Sequence, residues 1–250
     1  MAQNWLSLLR PGRRGPLRRA IVVPHAGAGP NALAPMWQCL PDDIEVVGVT
    51  LPGRERRFAE YASSTNGDPD LVISGVLRDI RRLRPVPTVL FGHSLGAAIA
   101  AAVADAEPGW FDSVVVSAYP TGPSEPVTDP AEQRRRLLDL VEKAGGTPAD
   151  VMASPVWQQH LLDVLGSDLA LANGFAERVL GRLRVPLTVL HGGDDPLVAP
   201  TDPAVWATRV AAGVRFRTLP GGHFYLLDVM TRYAVATEIA ATLSYRAAAA

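Results

Sequence analysis

Short apolar runs alternate with stretches of helical periodicity along most of the chain. The runs are rich in Val, Ile and Leu and are bounded by Gly, Pro or polar residues, which is typical of strands buried in a sheet. Strands are predicted over residues 19–23, 44–49, 87–91, 111–118, 185–190 and 214–219, and helices over 33–40, 70–82, 95–105 and 224–244. Because strands that alternate with helices pair in parallel, the pattern predicts an α/β fold with an open, mostly parallel central sheet.

The apolar run at residues 87–91 breaks at a glycine and continues as an Ala-rich helix. Ser94 stands between the two, with Gly92 two residues before it and Gly96 two residues after it. This G-x-S-x-G pattern is typical of a sharp strand-turn-helix in which glycines avoid a collision and the serine hydroxyl is raised above the sheet. The first free amide of the helix, that of Leu95, points to the same place and can stabilise negative charge on a substrate oxygen. We therefore predict Ser94 as a nucleophile and Leu95 as an oxyanion donor.

A serine nucleophile needs a base and a carboxylate that orients the base. Of the five histidines, only His223 follows the last predicted strand, in a Gly-rich turn that can bring an imidazole over the sheet edge. His93 precedes the tip of the serine turn and is expected to point elsewhere. Two adjacent candidates for the acid, Asp194 and Asp195, directly follow the strand at 185–190. The resulting order Ser, Asp, His along the chain is that of α/β-hydrolases.

Residues 120–184 interrupt the alternation of strands and helices. They begin Pro- and Gly-rich and then become helical, most clearly over 131–143 and 155–165. Long insertions at strand ends that carry catalytic residues commonly form lids, so we expect a helical lid over Ser94; an insertion without a binding role is the alternative. The candidate acyl-pocket residues, for which core packing is the alternative, are Val156, Trp157, Leu161, Leu162, Leu165, Leu169 and Leu171.

Composition limits the classes of function. The 250 residues carry a formal net charge of −1, and 48% of them are hydrophobic, as expected of a globular α/β protein that forms one domain over 1–250. A charge so close to zero gives no reason to expect nucleic acid or an anionic membrane as a partner. The single cysteine, Cys39, and the lack of an apolar run of signal-peptide or transmembrane length favour a cytoplasmic protein. Scattered histidines without metal-ligand spacing predict no metal site, and the predicted chemistry requires no cofactor.

Four segments together resemble a more narrowly defined family: residues 24–29 (PHAGAG), 51–57 (LPGRERR), 92–97 (GHSLGA) and 221–226 (GGHFYL). They are similar to those of type II thioesterases, the free-standing α/β-hydrolases that accompany polyketide synthases and nonribosomal peptide synthetases. The segment at 51–57 is the most discriminating, because general esterases share the serine motif but rarely that turn. The resemblance covers nearly the whole chain and implies an α/β-hydrolase fold with a helical lid insertion.

The resemblance also assigns roles to individual residues. It favours Asp195 over Asp194 as the acid, because the spacing G-x-x-D-x-x-V that begins at Gly192 is the one that α/β-hydrolases show at their acid turn. It implies that the second oxyanion donor is the amide of Ala26, with Gly27 as the alternative. One departure from the family is Leu95, where methionine is frequent; since the donor is a backbone amide, little changes.

The function that the resemblance implies is hydrolysis of acyl thioesters held on the phosphopantetheine arm of an acyl or peptidyl carrier protein. Arg54, Arg56 and Arg57 form a charged turn that could steer an acidic carrier and hold the phosphate of its arm; a solvated turn tied into local hydrogen bonds is the alternative. A monomer is expected. The alternative functions are a carboxylesterase or lipase with the same triad, a non-catalytic binding protein on a hydrolase fold, and a cyclising terminal thioesterase domain.

Overall fold

The computed structural model describes residues 4–13, 15, 17–119, 129–178, 181–198 and 205–244. Seven strands form one sheet, in which the neighbours run β1-β3-β2-β4-β5-β6-β7 and every pair is parallel except β1 with β3. The predicted mostly parallel α/β sheet is confirmed. The strands are β1 (Leu6–Arg10), β2 (Arg18–Val23), β3 (Ile44–Val49), β4 (Thr88–His93), β5 (Ser113–Ser117), β6 (Leu187–Gly192) and β7 (Val214–Leu219).

Helices cover both faces of this sheet. The helices are α1 (Ala34–Trp37), α2 (Pro69–Ile80), α3 (Leu95–Ala106), α4 (Pro130–Ala144), α5 (Ala149–Ala153), α6 (Pro155–Glu177) and α7 (Arg232–Ser244). One apolar core joins α2 and α3 to one face, and a second joins α1 and α7 to the other. A parallel sheet covered on both faces needs strands that are buried throughout, and all 6 residues of β4 are buried.

The edge strand β1 was not predicted from the sequence. It pairs antiparallel with β3, and its side chains divide between the interior and solvent: Leu6 is 7% exposed and Leu8 is 59% exposed. A strand of 5 residues that ends in an arginine offers too short an alternation to be distinguished from a loop. Its formation depends on the partner strand rather than on its own pattern.

The helix α6 is longer than the 155–165 segment predicted from periodicity. Ser154 caps its start by accepting a hydrogen bond from the amide of Trp157. Gly166 and Asn173 are weak helix formers and obscure the pattern in the second half of the helix. Packing compensates, because Leu171 and Phe175 are buried in the main core. The helices predicted at 33–40 and 224–244 are shorter in the structure, where they are α1 and α7; a 3₁₀ turn at Pro30–Leu33 precedes α1, and one at Tyr225–Leu227 precedes α7.

The fold brings the predicted catalytic residues to one edge of the sheet. Ser94 follows β4, Asp195 follows β6 and His223 follows β7, and these strands all run in the same direction. Carboxyl ends of parallel strands are where α/β proteins bind their ligands. Helices α4, α5 and α6 lie between β5 and β6 in the chain, where the lid was predicted, although residues 120–128 and 179–180 of that segment lie outside the described residues.

Among the described residues, no helix is both long and apolar enough to cross a membrane.

Candidate active site

The turn at residues 92–96, here called the nucleophile turn, holds Ser94 in a strained backbone conformation with φ 54° and ψ −121°. Its two glycines are sterically required. A Cβ on Gly92 would lie 2.0 Å from the carbonyl oxygen of Gly96, and a Cβ on Gly96 would lie 2.2 Å from the carbonyl oxygen of Val23. The amide of Ser94 is tied to the next strand by donating to the carbonyl of Ser117, at 2.8 Å. The turn therefore fixes the position of the Ser94 side chain, which lines the main cavity of the protein.

His223 pairs with Asp195 and not with Asp194. The Nδ1 atom of His223 lies 2.9 Å from Oδ2 of Asp195, and the two side chains are only 3% and 1% exposed. The other oxygen of Asp195 accepts a hydrogen bond from the amide of Leu197 at 2.8 Å. Asp194 is exposed, and its amide donates to the carbonyl of Gly221 at 3.0 Å, which is the contact of a turn residue. The carboxylate of Asp195 can therefore hold the imidazole of His223 in one orientation, with Nε2 left for proton transfer.

Behind His223 lies a buried polar chain that the sequence did not reveal. The ring of His93 is fully buried beside that of His223, with 5.0 Å between the two centroids, and His93 is not one of the described residues that line the cavity. Its Nδ1 lies 2.9 Å from Oγ of Ser117, which in turn lies 2.7 Å from the hydroxyl of Tyr225. Burial is the main cause that lowers the pKa of His93 well below its usual value, and the neighbouring His223 and His25 lower it further. Burial likewise raises the pKa of Tyr225.

His25 occupies the other side of this cluster, with its ring centroid 5.8 Å from that of His93. Burial first, and then the charges of His223 and Arg54, lower the pKa of His25 to about 3. Both extra histidines are thus neutral near pH 7; His93 packs against the ring of the catalytic base, and His25 packs against His93. The remaining two lie elsewhere: His160 lines the cavity from α6, and Nε2 of His191 lies 3.0 Å from Oγ1 of Thr218.

The loop at residues 24–29, here called the oxyanion loop, packs against the nucleophile turn, since a Cβ on Gly96 would lie 2.5 Å from the carbonyl oxygen of Pro24. Ala26, Gly27 and Leu95 all line the cavity. The amide of Gly27 is occupied, because it donates to Oδ2 of Asp168 at 2.7 Å. Within the described residues, the amides of Ala26 and Leu95 have no hydrogen-bond acceptor. The geometry therefore favours Ala26 over Gly27 as the second oxyanion donor.

The cavity that contains Ser94 and His223 has a volume of about 790 Å³. Its apolar wall comes largely from the predicted lid segment, and Trp157, Leu161, Leu165 and Leu169 all line it. Three other predicted pocket residues do not. Val156 is 76% exposed, Leu162 packs in a small separate core, and Leu171 belongs to the main core. The inserted helices α4, α5 and α6 also contribute apolar pocket residues that the sequence did not single out: Leu140, Val141, Val151 and Val164.

Two of the three predicted docking arginines are buried. Arg54 is 5% exposed and forms an ion pair with Asp168, at 2.5 Å between Nη1 and Oδ2. Arg57 is 3% exposed, binds Glu60 through two nitrogens and stacks over the ring of Trp5 at 4.3 Å. Because a buried guanidinium that already has its partners offers no surface to another protein, the docking prediction does not hold for Arg54 and Arg57.

Arg56 is the exposed member of the turn. Its guanidinium donates to the backbone carbonyl of Asn4, and the rest of the side chain faces solvent. A role in docking therefore stays a prediction for Arg56 alone.

No group of three or more His, Cys, Asp or Glu side chains in the described part of the chain could hold a metal ion. The chemistry of the site lies instead in a hydroxyl, an imidazole held by a carboxylate, and amides that are free to receive an oxyanion. With the parallel sheet beneath them, these groups define the class: this is an α/β-hydrolase whose site can perform acyl transfer through a serine.

Comparison with known proteins gives the family. The profile of the thioesterase domain matches residues 18–243. The probable cadicidin biosynthesis thioesterase of Streptomyces griseus is 31% identical over 251 residues, which cover 97% of this chain and 66% of that protein. The gramicidin S biosynthesis protein GrsT of Aneurinibacillus migulanus is 26% identical over 216 residues, which cover 84% of this chain and 83% of that protein.

The solved structure of the type II thioesterase BorB from the borrelidin biosynthetic cluster has a TM-score of 0.80 and 27% identity, and the match covers 97% of this chain and 99% of BorB. The chain belongs to the thioesterase family, and it is a hydrolase of thioesters.

Proposed function

We propose that this thioesterase is of type II and removes acyl groups from the phosphopantetheine arm of acyl or peptidyl carrier proteins in a polyketide or nonribosomal peptide assembly line. The observation that carries the proposal is the apolar cavity of about 790 Å³, which opens on Ser94 and His223 and is walled by the inserted helices. A volume of this size suits an acyl chain rather than a small acetyl group alone. The biosynthetic names of the two relatives support the same substrate class.

Acylation begins when Ser94 Oγ attacks the thioester carbonyl and gives its proton to Nε2 of His223. Asp195, which accepts a hydrogen bond from Nδ1 of His223, stabilises the imidazolium that forms. Negative charge then appears on the carbonyl oxygen, where the free amides of Leu95 and Ala26 can receive it. As the tetrahedral intermediate collapses, the carbon–sulfur bond breaks and the imidazolium protonates the departing thiolate.

Deacylation repeats these steps with water. His223 takes a proton from water, the resulting hydroxide attacks the acyl-serine ester, and the same two amides hold the oxyanion. The ester bond breaks, Ser94 regains its proton from His223, and the acid is released. Neutral rings at His93 and His25 add no positive charge beside the imidazolium in either half of the reaction.

Three substrates that carry the same acyl group on different leaving groups distinguish a carrier-protein thioesterase from an esterase. They are an acyl-phosphopantetheine carrier protein, the N-acetylcysteamine thioester and the nitrophenyl ester. We expect the highest kcat/KM for the carrier-bound thioester, because only that substrate brings binding energy from a partner protein. A higher kcat/KM for the nitrophenyl ester would identify a carboxylesterase instead. Failure of a fluorophosphonate to label the protein would revive a non-catalytic binding role.

The monomeric state and a cytoplasmic location remain predictions from the sequence. Analytical ultracentrifugation tests the first, and fractionation of the producing cells tests the second.

A further inference from the structure

A buried ion pair connects three segments that are far apart in the sequence. Arg54 follows β3, Asp168 is in the middle of α6, and Gly27 is in the oxyanion loop. Nη1 and Nη2 of Arg54 donate to the two oxygens of Asp168 at 2.5 and 2.7 Å, and the side chains are 6% and 4% exposed. This bidentate geometry fixes the relative orientation of the two side chains as well as their distance.

The same ion pair binds the oxyanion loop twice: its carboxylate accepts from an amide of the loop, and its guanidinium donates to a carbonyl of the loop. Oδ2 of Asp168 accepts from the amide of Gly27 at 2.7 Å, while Nη1 of Arg54 lies 3.4 Å from the carbonyl oxygen of Ala28. Arg54 is itself anchored, because its Nε donates to the carbonyl of Pro52 at 3.1 Å. The peptide group that is fixed at Gly27 is the one that follows Ala26.

The neighbouring residue Glu55 braces the far end of this loop. Its Oε1 accepts from the amide of Asn31 at 2.9 Å, and its Oε2 accepts from the side-chain amide of Asn31 at 3.0 Å. A Cβ on Gly29 would lie 2.2 Å from Oε1 of Glu55, so the loop and the brace are in direct contact. The Arg-Glu pair of the turn at 51–57 thus contacts the oxyanion loop with both of its side chains.

Stability alone is a poor explanation for such an arrangement. Two buried charges lose most of their hydration, and the loss commonly offsets their mutual attraction, so apolar residues of the same size would stabilise the fold as well. What an apolar pair could not do is accept the hydrogen bond of Gly27. Oxyanion donors act only when they are aimed correctly, and a displacement of about 1 Å can cost on the order of 100-fold in rate.

We propose that Arg54 and Asp168 are positioning residues that aim the Ala26 amide at the oxyanion. The proposal rests on the proposed function only in taking Ala26 as the second donor. Since Asp168 belongs to α6, the oxyanion hole is complete only when that helix of the inserted segment is seated against the loop. The helix that lines the acyl pocket therefore also sets the reactivity of Ser94.

The test compares Asp168→Asn and Arg54→Lys with the matched control Glu45→Gln. Glu45 forms a second ion pair with a buried arginine, Arg19, with side chains that are 14% and 3% exposed. Among the described residues, no hydrogen bond or ion pair joins Glu45 to the oxyanion loop. Two rates are measured, both at a temperature where each variant is folded by circular dichroism. One is turnover of the carrier-bound thioester, and the other is phosphonylation of Ser94 by a fluorophosphonate, which also places a phosphoryl oxygen in the oxyanion hole but needs no carrier.

We expect Asp168→Asn to lower kcat and the phosphonylation rate together by about 100-fold with little change in KM, because only the transition state uses the donor. Arg54→Lys should show the same pattern with a smaller loss, and Glu45→Gln should match the unmodified enzyme. The proposal is overturned if Asp168→Asn labels at the rate of Glu45→Gln, or if its loss lies in KM alone. Should Asp168→Asn not fold, the same criteria apply to Arg54→Lys. If carrier thioesters prove not to be substrates, the phosphonylation rates still decide the role of Asp168.

Discussion

The nucleophile turn and the oxyanion loop lie against each other at the cavity but owe their shapes to different causes. The turn is shaped by backbone atoms, since Gly92 packs against Gly96 of the same turn and Gly96 packs against Val23 at the end of β2, so that no larger residue fits at either glycine. The loop is held by side chains that are distant in sequence: Asp168 lies 141 residues from Gly27, and Glu55 lies 24 residues from Asn31. Close packing of backbone atoms places the nucleophile, whereas hydrogen bonds from side chains place the second oxyanion donor.

The two segments should therefore respond differently to substitution. A change in the turn acts directly on Ser94 Oγ, the atom that forms the bond to the substrate. A change around the loop acts only through the position of the Ala26 amide, so it should lower kcat less. Substitutions at increasing distance from Ser94 Oγ therefore test the comparison, and their effects should become smaller in that order.

The largest effect is expected at the nucleophile itself. Replacing Ser94 by Ala removes the attacking oxygen and should lower kcat by about a million-fold, as triad deletions do in other serine hydrolases. The circular dichroism spectrum should stay unchanged, because the strained turn conformation is imposed by its glycine contacts. Turnover near that of the unmodified enzyme would show that another group forms the acyl intermediate.

The second effect concerns the acid and has a built-in control in the adjacent residue. Asp195→Asn should lower kcat by roughly ten-thousand-fold, because the imidazole of His223 loses the partner that sets its tautomer. Asp194→Asn should cost far less, since that side chain is exposed and its contact is made by the backbone amide. A reversed ranking of the two kcat values would move the acid to Asp194.

A smaller effect is expected on stability in acid, through His93. The lowered pKa of this buried histidine means that the unfolded chain binds a proton that the folded chain rejects. Stability from this group is therefore present above roughly pH 6.5 and is lost as the pH falls below it. One excluded proton costs at most about 1.4 kcal/mol for each pH unit below that value.

The variant His93→Gln isolates this contribution. Its unfolding free energy, measured by urea titration at each pH, should fall less steeply between pH 7 and pH 5 than that of the unmodified protein. Parallel slopes for the two proteins would mean that His93 becomes protonated without cost in the fold.

The smallest effect is expected at the exposed residue Arg56. Arg56→Glu should raise KM for a carrier-protein substrate several-fold at low salt and less at high salt, because an exposed charge acts mainly on association. Hydrolysis of the N-acetylcysteamine thioester should not change. The control is Arg13→Glu, which makes the same change in charge at a side chain that is 80% exposed and pairs with Asp42 before β3, away from the cavity. Equal losses on both substrates would assign Arg56 a role in the fold.

The sequence predicted the features that depend on local pattern. Ser94 is recognisable from its two glycines, and His223 from its place after the last strand, because strand order and turn chemistry are written into neighbouring residues. The strand β1 is too short to show a pattern, and half of α6 is obscured by weak helix formers. Both elements are stabilised by contacts with distant parts of the chain, β1 by pairing with β3 and α6 by packing in the main core, and a local pattern does not show such contacts.

The charged turn shows the same limit at the site. The sequence places Arg54, Arg56 and Arg57 in a hydrophilic turn, and hydrophilic turns are usually exposed. Burial of Arg54 depends on Asp168, which is 114 residues away and lies in a helix whose second half was not predicted. The partner of a buried charge cannot be found from local pattern, so the contact that holds the oxyanion loop became visible only in the structure.

The central claim is that thioesters are hydrolysed through one acyl-serine intermediate, and product partitioning tests it most directly. The carrier-bound thioester and the N-acetylcysteamine thioester of the same acid are hydrolysed in the presence of hydroxylamine, which competes with water for the acyl-enzyme. If both substrates acylate Ser94, the ratio of hydroxamate to free acid should be identical for the two at every hydroxylamine concentration. A ratio that depends on the departing thiol would show that water attacks the bound thioester directly, and it would contradict the assignment of Ser94 as nucleophile.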